Sequence, residues 1–131
     1  VGTLVSLGSA LALTVAMGLT REQYVTLLPK SVTTAISMDV AAELGGIAAL
    51  TGAIVILTGI AGNLLAETVC KVFHITDPIA KGVGIGTSAH AVGTSKALQM
   101  GEVEGAMSGL SIAVAGVLTA VLCPVFVNFI N

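Results

Sequence analysis

The sequence predicts an all-α, polytopic integral membrane protein with about five hydrophobic segments, and three observations predict it. Of the 131 residues, 55% are hydrophobic and only 9% are charged, against roughly 25% charged in an ordinary soluble domain. Three runs carry no charge at all, Val1 to Thr20, Leu44 to Ala66 and Gly105 to Asn131, each about as long as the roughly 20 residues that span a hydrocarbon core. Between them lie two stretches of crossing length that are too polar to face lipid, residues 28–44 and 77–98. A soluble chain of this size could not bury helices that are apolar on every side.

The first run lacks the basic flank of a secretory signal and is longer than the apolar part of one, about 7 to 15 residues. It reads as an internal span of a longer protein. The second element, "LPKSVTTAISMDVAAEL", carries Pro29 and the Thr33-Thr34 pair, features that interrupt a regular helix. The third, "GGIAALTGAIVILTGIAG", repeats Gly45, Gly52 and Gly59 every seven residues, which keeps them on one helix face for close packing. The fourth contains "GIGTSAHAVGTSKAL" and carries Gly82, Gly84, Gly86 and Gly93, which predict a second interruption. The fifth has the small-residue motif "GAMSG" and, near its end, Pro124, where a kink is expected. Irregular backbone survives in a bilayer only where protein or a wet cavity surrounds it, so both interrupted stretches belong inside the bundle.

The chain forms a single transmembrane domain, residues 1–131, and shows a weak internal repeat. At an offset of 60 residues Val32 meets Val92, Thr34 meets Thr94, Met38 meets Leu98, Gly45 meets Gly105 and Thr51 meets Ser111. The units run from about 28 to 70 and from about 88 to 130, each an interrupted segment followed by a clean span, as in many transporter folds. Five crossings would put Arg21, Lys71 and Lys81 near one face, the cytoplasmic one by the excess of positive charge, and Asp39, Glu43, Glu102 and Glu104 near the other. A re-entrant course for residues 28–44 would blur that segregation. Tyr24, Phe73, Phe126 and Phe129 fall near span ends, where interfacial aromatics collect.

The polar residues of the interrupted stretches are the candidate site. A charge in mid-membrane costs at least about 2.5 kcal/mol and therefore faces a partner or a polar cavity. Lys30 stands among Ser31, Thr33, Thr34 and Ser37, and Lys96 among Thr87, Ser88, His90, Gly93, Thr94 and Ser95. Cations, hydroxyls and the exposed N–H groups of broken helices suit a small anion such as a carboxylate. Lys30 can equally reach the interface along its stem. Asp39 and Glu43 fit either a cation or proton site or a solvated span end, and His90 fits either proton coupling or a helix-to-helix hydrogen bond.

Other classes are excluded by what the chain lacks. The net charge of −2 offers no basic surface for nucleic acid. Cys70 and Cys123 have no metal-ligand spacing, no phosphate-loop motif is matched, and no hydrolase elbow is present. No catalytic residue, metal or cofactor is expected.

"LPKSVTTAISM", "GGIAALTG", "ILTGIAG" and "GIGTSAHAVGTSKALQMGEVEGAMSGL" together resemble the LrgB/CidB family of antiholin-like and holin-like membrane proteins, which includes the plastidial glycolate/glycerate translocator. The similarity runs from about Leu27 to Pro124, and Ala35 stands where many members carry proline. The resemblance implies a multi-pass protein of the cell inner membrane and two functions. One is regulation of murein hydrolase activity and autolysis beside a small LrgA/CidA-type partner. The other is transport of small monocarboxylates such as glycolate, glycerate or pyruvate. The residues themselves agree better with the carrier. On that expectation Lys30, Ser31, Thr33 and Thr34 meet Ser88, His90, Gly93, Thr94 and Lys96 near the midplane of a homo-oligomeric protein, with Asp39 or His90 coupling protons.

Overall fold

The computed structural model describes residues 1–130 and is helical throughout its regular structure; Asn131, the last residue of the third charge-free run, lies outside the described residues. Six helices follow in order: α1 Gly2–Met17, α2 Arg21–Leu27, α3 Thr34–Glu43, α4 Ala48–Val72, α5 Pro78–Met100 and α6 Glu102–Val127. Among the described residues, α4 and α6 are the two long and apolar enough to cross a membrane. Their outer faces expose Leu57, Leu64, Leu65, Val117 and Val121 among others, a surface that water does not tolerate at this extent. α1 is apolar but has only 16 residues, short of the span expected from Val1 to Thr20, because Gly18 adopts the left-handed conformation and ends it.

Both interrupted stretches are helical hairpins, and this corrects the expected five crossings. α5 breaks at His90, whose backbone angles of φ 41° and ψ −138° are non-helical. Before the break, Ala89 packs on Gly62 and Ile85 clusters with Ala66, so the first arm runs antiparallel to α4. After it the order reverses. Gly59 faces His90 and Val92, the Asn63 amide donates to the Val92 carbonyl at 2.8 Å and to Ser95 Oγ at 3.1 Å, and Lys96 pairs with Glu67 at 2.6 Å. The second arm therefore returns alongside α4 to the side from which the first arm came. A straight helix would carry Lys96 away from Glu67 at about 1.5 Å per residue.

The first interruption is wider. α2 starts from a capping box in which Thr20 and Gln23 exchange bonds, Leu28 caps its end with helical backbone angles, and the chain is irregular from there to α3. Ser37 Oγ donates to the Pro29 carbonyl at 2.7 Å, which ties the two arms together across the turn. Val40 of α3 belongs to the same buried cluster as Tyr24, Val25 and Leu28, and Gly46, just past α3, lies against Val25 and Thr26, so the chain returns after the turn to the level of α2. Thr26 then receives the start of α4: its Oγ1 accepts from the Ile47 N–H at 2.9 Å, and its carbonyl accepts from Thr51 Oγ1 at 2.9 Å. Arg21 and Glu43 thus share a side, and the expected segregation of charge does not occur. The break forms with Ala35 in the place where proline would sharpen it.

The glycines act differently from expectation. Gly82, Gly86 and Gly93 lie within the helical arms rather than at the break. A side chain at Gly82 or Gly86 would meet the Glu104 or Ser108 carbonyl of α6, so these positions permit close approach instead of bending. Of the seven-residue series, Gly52 packs on Met38 and Gly59 on His90, whereas Gly45 sits in the α3–α4 turn at φ 87°. In "GAMSG", Gly105 packs on Leu98 and Gly109 faces open space. α6 continues through Pro124 to Val127.

Candidate functional site

The two turns approach one another through α1. Ser6 Oγ donates to Ser31 Oγ at 2.7 Å, and the Lys30 ammonium donates to Ser6 Oγ at 3.3 Å and Ser31 Oγ at 3.4 Å. Gly2 lies against Thr87 of α5. Between them a cavity of about 480 Å³ is lined by Val5, Ser6 and Ser9 of α1, Lys30 and Ser31 of the first turn, Thr58 and Gly62 of α4, and Thr87 and Ser88 of α5. That volume falls in the range of roughly 300–1,000 Å³ typical of small-molecule sites. Lys30 is the one charged group among the lining residues, and no carboxylate accompanies it. Hydroxyl oxygens are its hydrogen-bond partners among the described residues. The cavity accordingly carries one cation, the complement of a small anion; Ser6, Ser9, Thr58, Thr87 and Ser88 donate their hydroxyl protons within the protein, whereas Ser31 Oγ accepts from Ser6 and Lys30.

Of the residues expected to meet at the midplane, Lys30, Ser31 and Ser88 do line one cavity. His90 is 2% exposed and lies two residues beyond Ser88, with Nε2 at 2.9 Å from the Val55 carbonyl. A carbonyl only accepts, so Nε2 carries the proton and the imidazole fastens the turn to α4. The remainder lie elsewhere. Thr33 stands at the N-cap position of α3 without a side-chain capping bond, and Thr34 packs toward Gly52. Gly93 packs on Ala89 and Ile85 inside the second hairpin. Thr94 Oγ1 donates to the His90 carbonyl at 3.0 Å and pairs with Ser108 Oγ at 2.7 Å. Lys96 is engaged by Glu67, one turn from the outer end of α4, and does not meet Lys30. Asp39 is exposed on α3, outside the cavity lining.

Ser6, Ser9 and Thr58 were missed because each lies in a run read as lipid-facing. A signal was present. Gly2, Val5, Ser6 and Ser9 follow the spacing of one helix face, and Thr58 and Gly62 are four apart on another.

Comparison with known proteins decides the family. A family model described as LrgB-like matches residues 1–129. The chain belongs to the LrgB-like family. The LrgB-like chain is similar to "Antiholin-like protein LrgB" from Bacillus mycoides (strain KBAB4), Bacillus cereus (strain B4264) and Bacillus anthracis (strain CDC 684 / NRRL 3495), at 37% identity over 131 residues in each case. These alignments cover 100% of the LrgB-like chain and 57% of each relative, so the chain spans a little over half the length of the curated relatives it matches. No solved structure matches it. The name of the relatives and the apolar helices agree on a membrane protein.

Proposed function

We propose that this LrgB-like chain is the core of a secondary carrier for small monocarboxylates of the glycolate, glycerate or pyruvate type, working by alternating access. The observation that carries the reading is Lys30, a cation placed at the turn of a helical hairpin with hydroxyl partners only, on a cavity that the other hairpin also lines. A half-buried charge without a countercharge is costly, and a bound carboxylate would supply one. Ser31, whose hydroxyl oxygen accepts from Ser6 and Lys30, would donate its proton to the anion, and Ser6 and Ser88 would join by turning from Ser31 Oγ and the Gly84 carbonyl. Proton coupling, on the same proposal, would fall to His90, two residues beyond the lining Ser88, or to the exposed Asp39, and His90 could serve only through Nδ1, since Nε2 is bonded to the Val55 carbonyl.

The internal repeat belongs to the same proposal. At the offset of 60 residues Lys30 stands opposite His90, each at the turn of its hairpin, and each hairpin is followed by a long helix. α4 and α6 run in opposite senses, because each begins where its hairpin ends. Inverted duplication with the site between the two copies is the architecture on which alternating access operates. Lys71 and Lys81 flank the α4–α5 loop and Arg21 stands on the other side, an excess of lysine and arginine that supports a cytoplasmic position for that loop.

The printed name of the relatives favours a second reading over the carrier: an antiholin-like regulator of murein hydrolase activity, acting with a small LrgA/CidA-type partner. The two part in one experiment. Proteoliposomes holding the full-length protein would take up labelled glycolate or pyruvate saturably if it is a carrier, and lose uptake on Lys30→Gln. Absence of saturable flux, together with pulldown of a small membrane partner, would leave the regulator.

A further inference from the structure

A second cavity, of about 480 Å³, opens at the other end of α4, lined by Lys71, His74, Thr76 and Lys81 on its polar side, with Glu67 and Met100 completing it. Its charge is unbalanced. The Glu67 carboxylate is held at 2.6 Å by Lys96, which stands outside the lining, and lies at 3.8 Å from Lys71, so within the lining one already paired acid faces two lysines. Lys81 is not paired with any carboxylate among the described residues. α4 has 25 residues, about 37 Å at 1.5 Å per residue, and so overhangs a hydrocarbon layer about 30 Å thick. Its last turn, with Lys71, and the loop beyond it therefore lie at headgroup depth, where the exposed Phe73 also suits the interface.

An apolar groove of about 180 Å³ continues from this cavity and shares Cys70, Ile75 and Lys81 with it. Leu65, Val69 and Ala80 line it, so it points along α4 toward the membrane interior between α4 and the first arm of α5. Leu65 and Val69 remain 54% and 43% exposed. A free inorganic anion would use the cationic mouth and ignore the groove. A molecule with a phosphate at one end and a hydrocarbon chain at the other would fill both.

We infer that Lys71, Lys81 and His74, with the groove below them, form a binding site for the headgroup phosphate and one acyl chain of an anionic phospholipid. The cationic mouth shares no lining residue with the Lys30 cavity, while the groove below it reaches Ser88, which lines both. A lipid bound there would wedge between α4 and the hairpin whose return arm Glu67 and Lys96 hold.

The test uses purified full-length protein in a neutral detergent, titrated with phosphatidylglycerol, phosphatidylcholine or inorganic phosphate and read by Tm and native mass spectrometry. Phosphatidylglycerol is expected to raise Tm and remain bound, with neither comparison compound matching it. The double substitution Lys71→Gln/Lys81→Gln is expected to weaken its binding roughly tenfold or more, since each lysine near an anionic headgroup contributes about 1 kcal/mol. Thr76→Asp, which puts a negative charge into the cavity at an exposed position, should do the same should the double variant fail to fold. Lys71→Arg/Lys81→Arg should retain binding. Equal response to phosphatidylcholine, competition by inorganic phosphate, or phosphatidylglycerol binding that survives Thr76→Asp would each overturn the proposal.

Discussion

The two hairpin turns solve the same geometric problem with different chemistry. The first spends six residues, 28–33, and presents a cation to a cavity. The second turns at one residue, His90, which is buried and bonded to α4. A wide turn can leave its polar groups facing a void, since the arms on either side carry the packing. Lys30 does so among hydroxyls. A one-residue turn must hold a conformation that favours glycine, at a cost of order 1–3 kcal/mol, so its side chain is committed to an anchor. The first turn leaves its cation facing a void, and the second is fastened to α4.

The largest test of that contrast is Lys30→Gln. Anion uptake by proteoliposomes is expected to fall about a hundredfold, the order seen when one member of a buried charge pair is removed. Tm in the absence of substrate should hold or rise, because Lys30 has no carboxylate partner among the lining residues to lose. A fall in Tm with uptake intact would make Lys30 a structural residue. Next, Gly86→Ala should destabilise by about 1–3 kcal/mol, as its new methyl would press on the Ser108 carbonyl. Gly84→Ala, two residues away with nothing within 4 Å, should be neutral or gain about 0.5–1 kcal/mol from reduced backbone freedom. Thermal melts of that pair separate close packing from flexibility as the use of glycine in this arm.

A smaller effect is expected from Asn63→Leu, which removes the bonds to the Val92 carbonyl and Ser95. The loss is about 1 kcal/mol, and hydrogen exchange should quicken in residues 91–100 while residues 78–89 keep their protection. Uniform exchange across both arms would show that α5 opens as one body. Asp39→Asn is the smallest: the side chain is exposed and outside the cavity, so uptake and its pH profile should be unchanged, whereas a shifted profile would return proton coupling to Asp39.

Much of the fold was legible. The charge-free runs Leu44 to Ala66 and Gly105 to Asn131 marked most of α4 and α6, and Pro29 with the Thr pair marked the first break within a residue or two of its place. Within the site, Lys30, Ser31 and Ser88 could be named because cations and hydroxyls are conspicuous in an apolar chain. Lys96 could not be separated from them. Its partner Glu67 is 29 positions away, and a pairing across a hairpin leaves no periodicity in sequence. The glycines around His90 pointed to the right segment for the wrong reason, since they let α6 approach while a histidine makes the turn.

The sequence by itself determined the solvent of this protein and the places where its helices could not be regular, because transfer free energy and local backbone preference act residue by residue. Only the tertiary structure decided that each interrupted segment turns back instead of crossing. That choice rests on contacts such as His90 with Val55, Asn63 with Val92 and Ser6 with Ser31, which join residues 25 to 35 positions apart. A helix that crosses and a hairpin that returns have the same composition and the same period, and differ only in what their far ends meet.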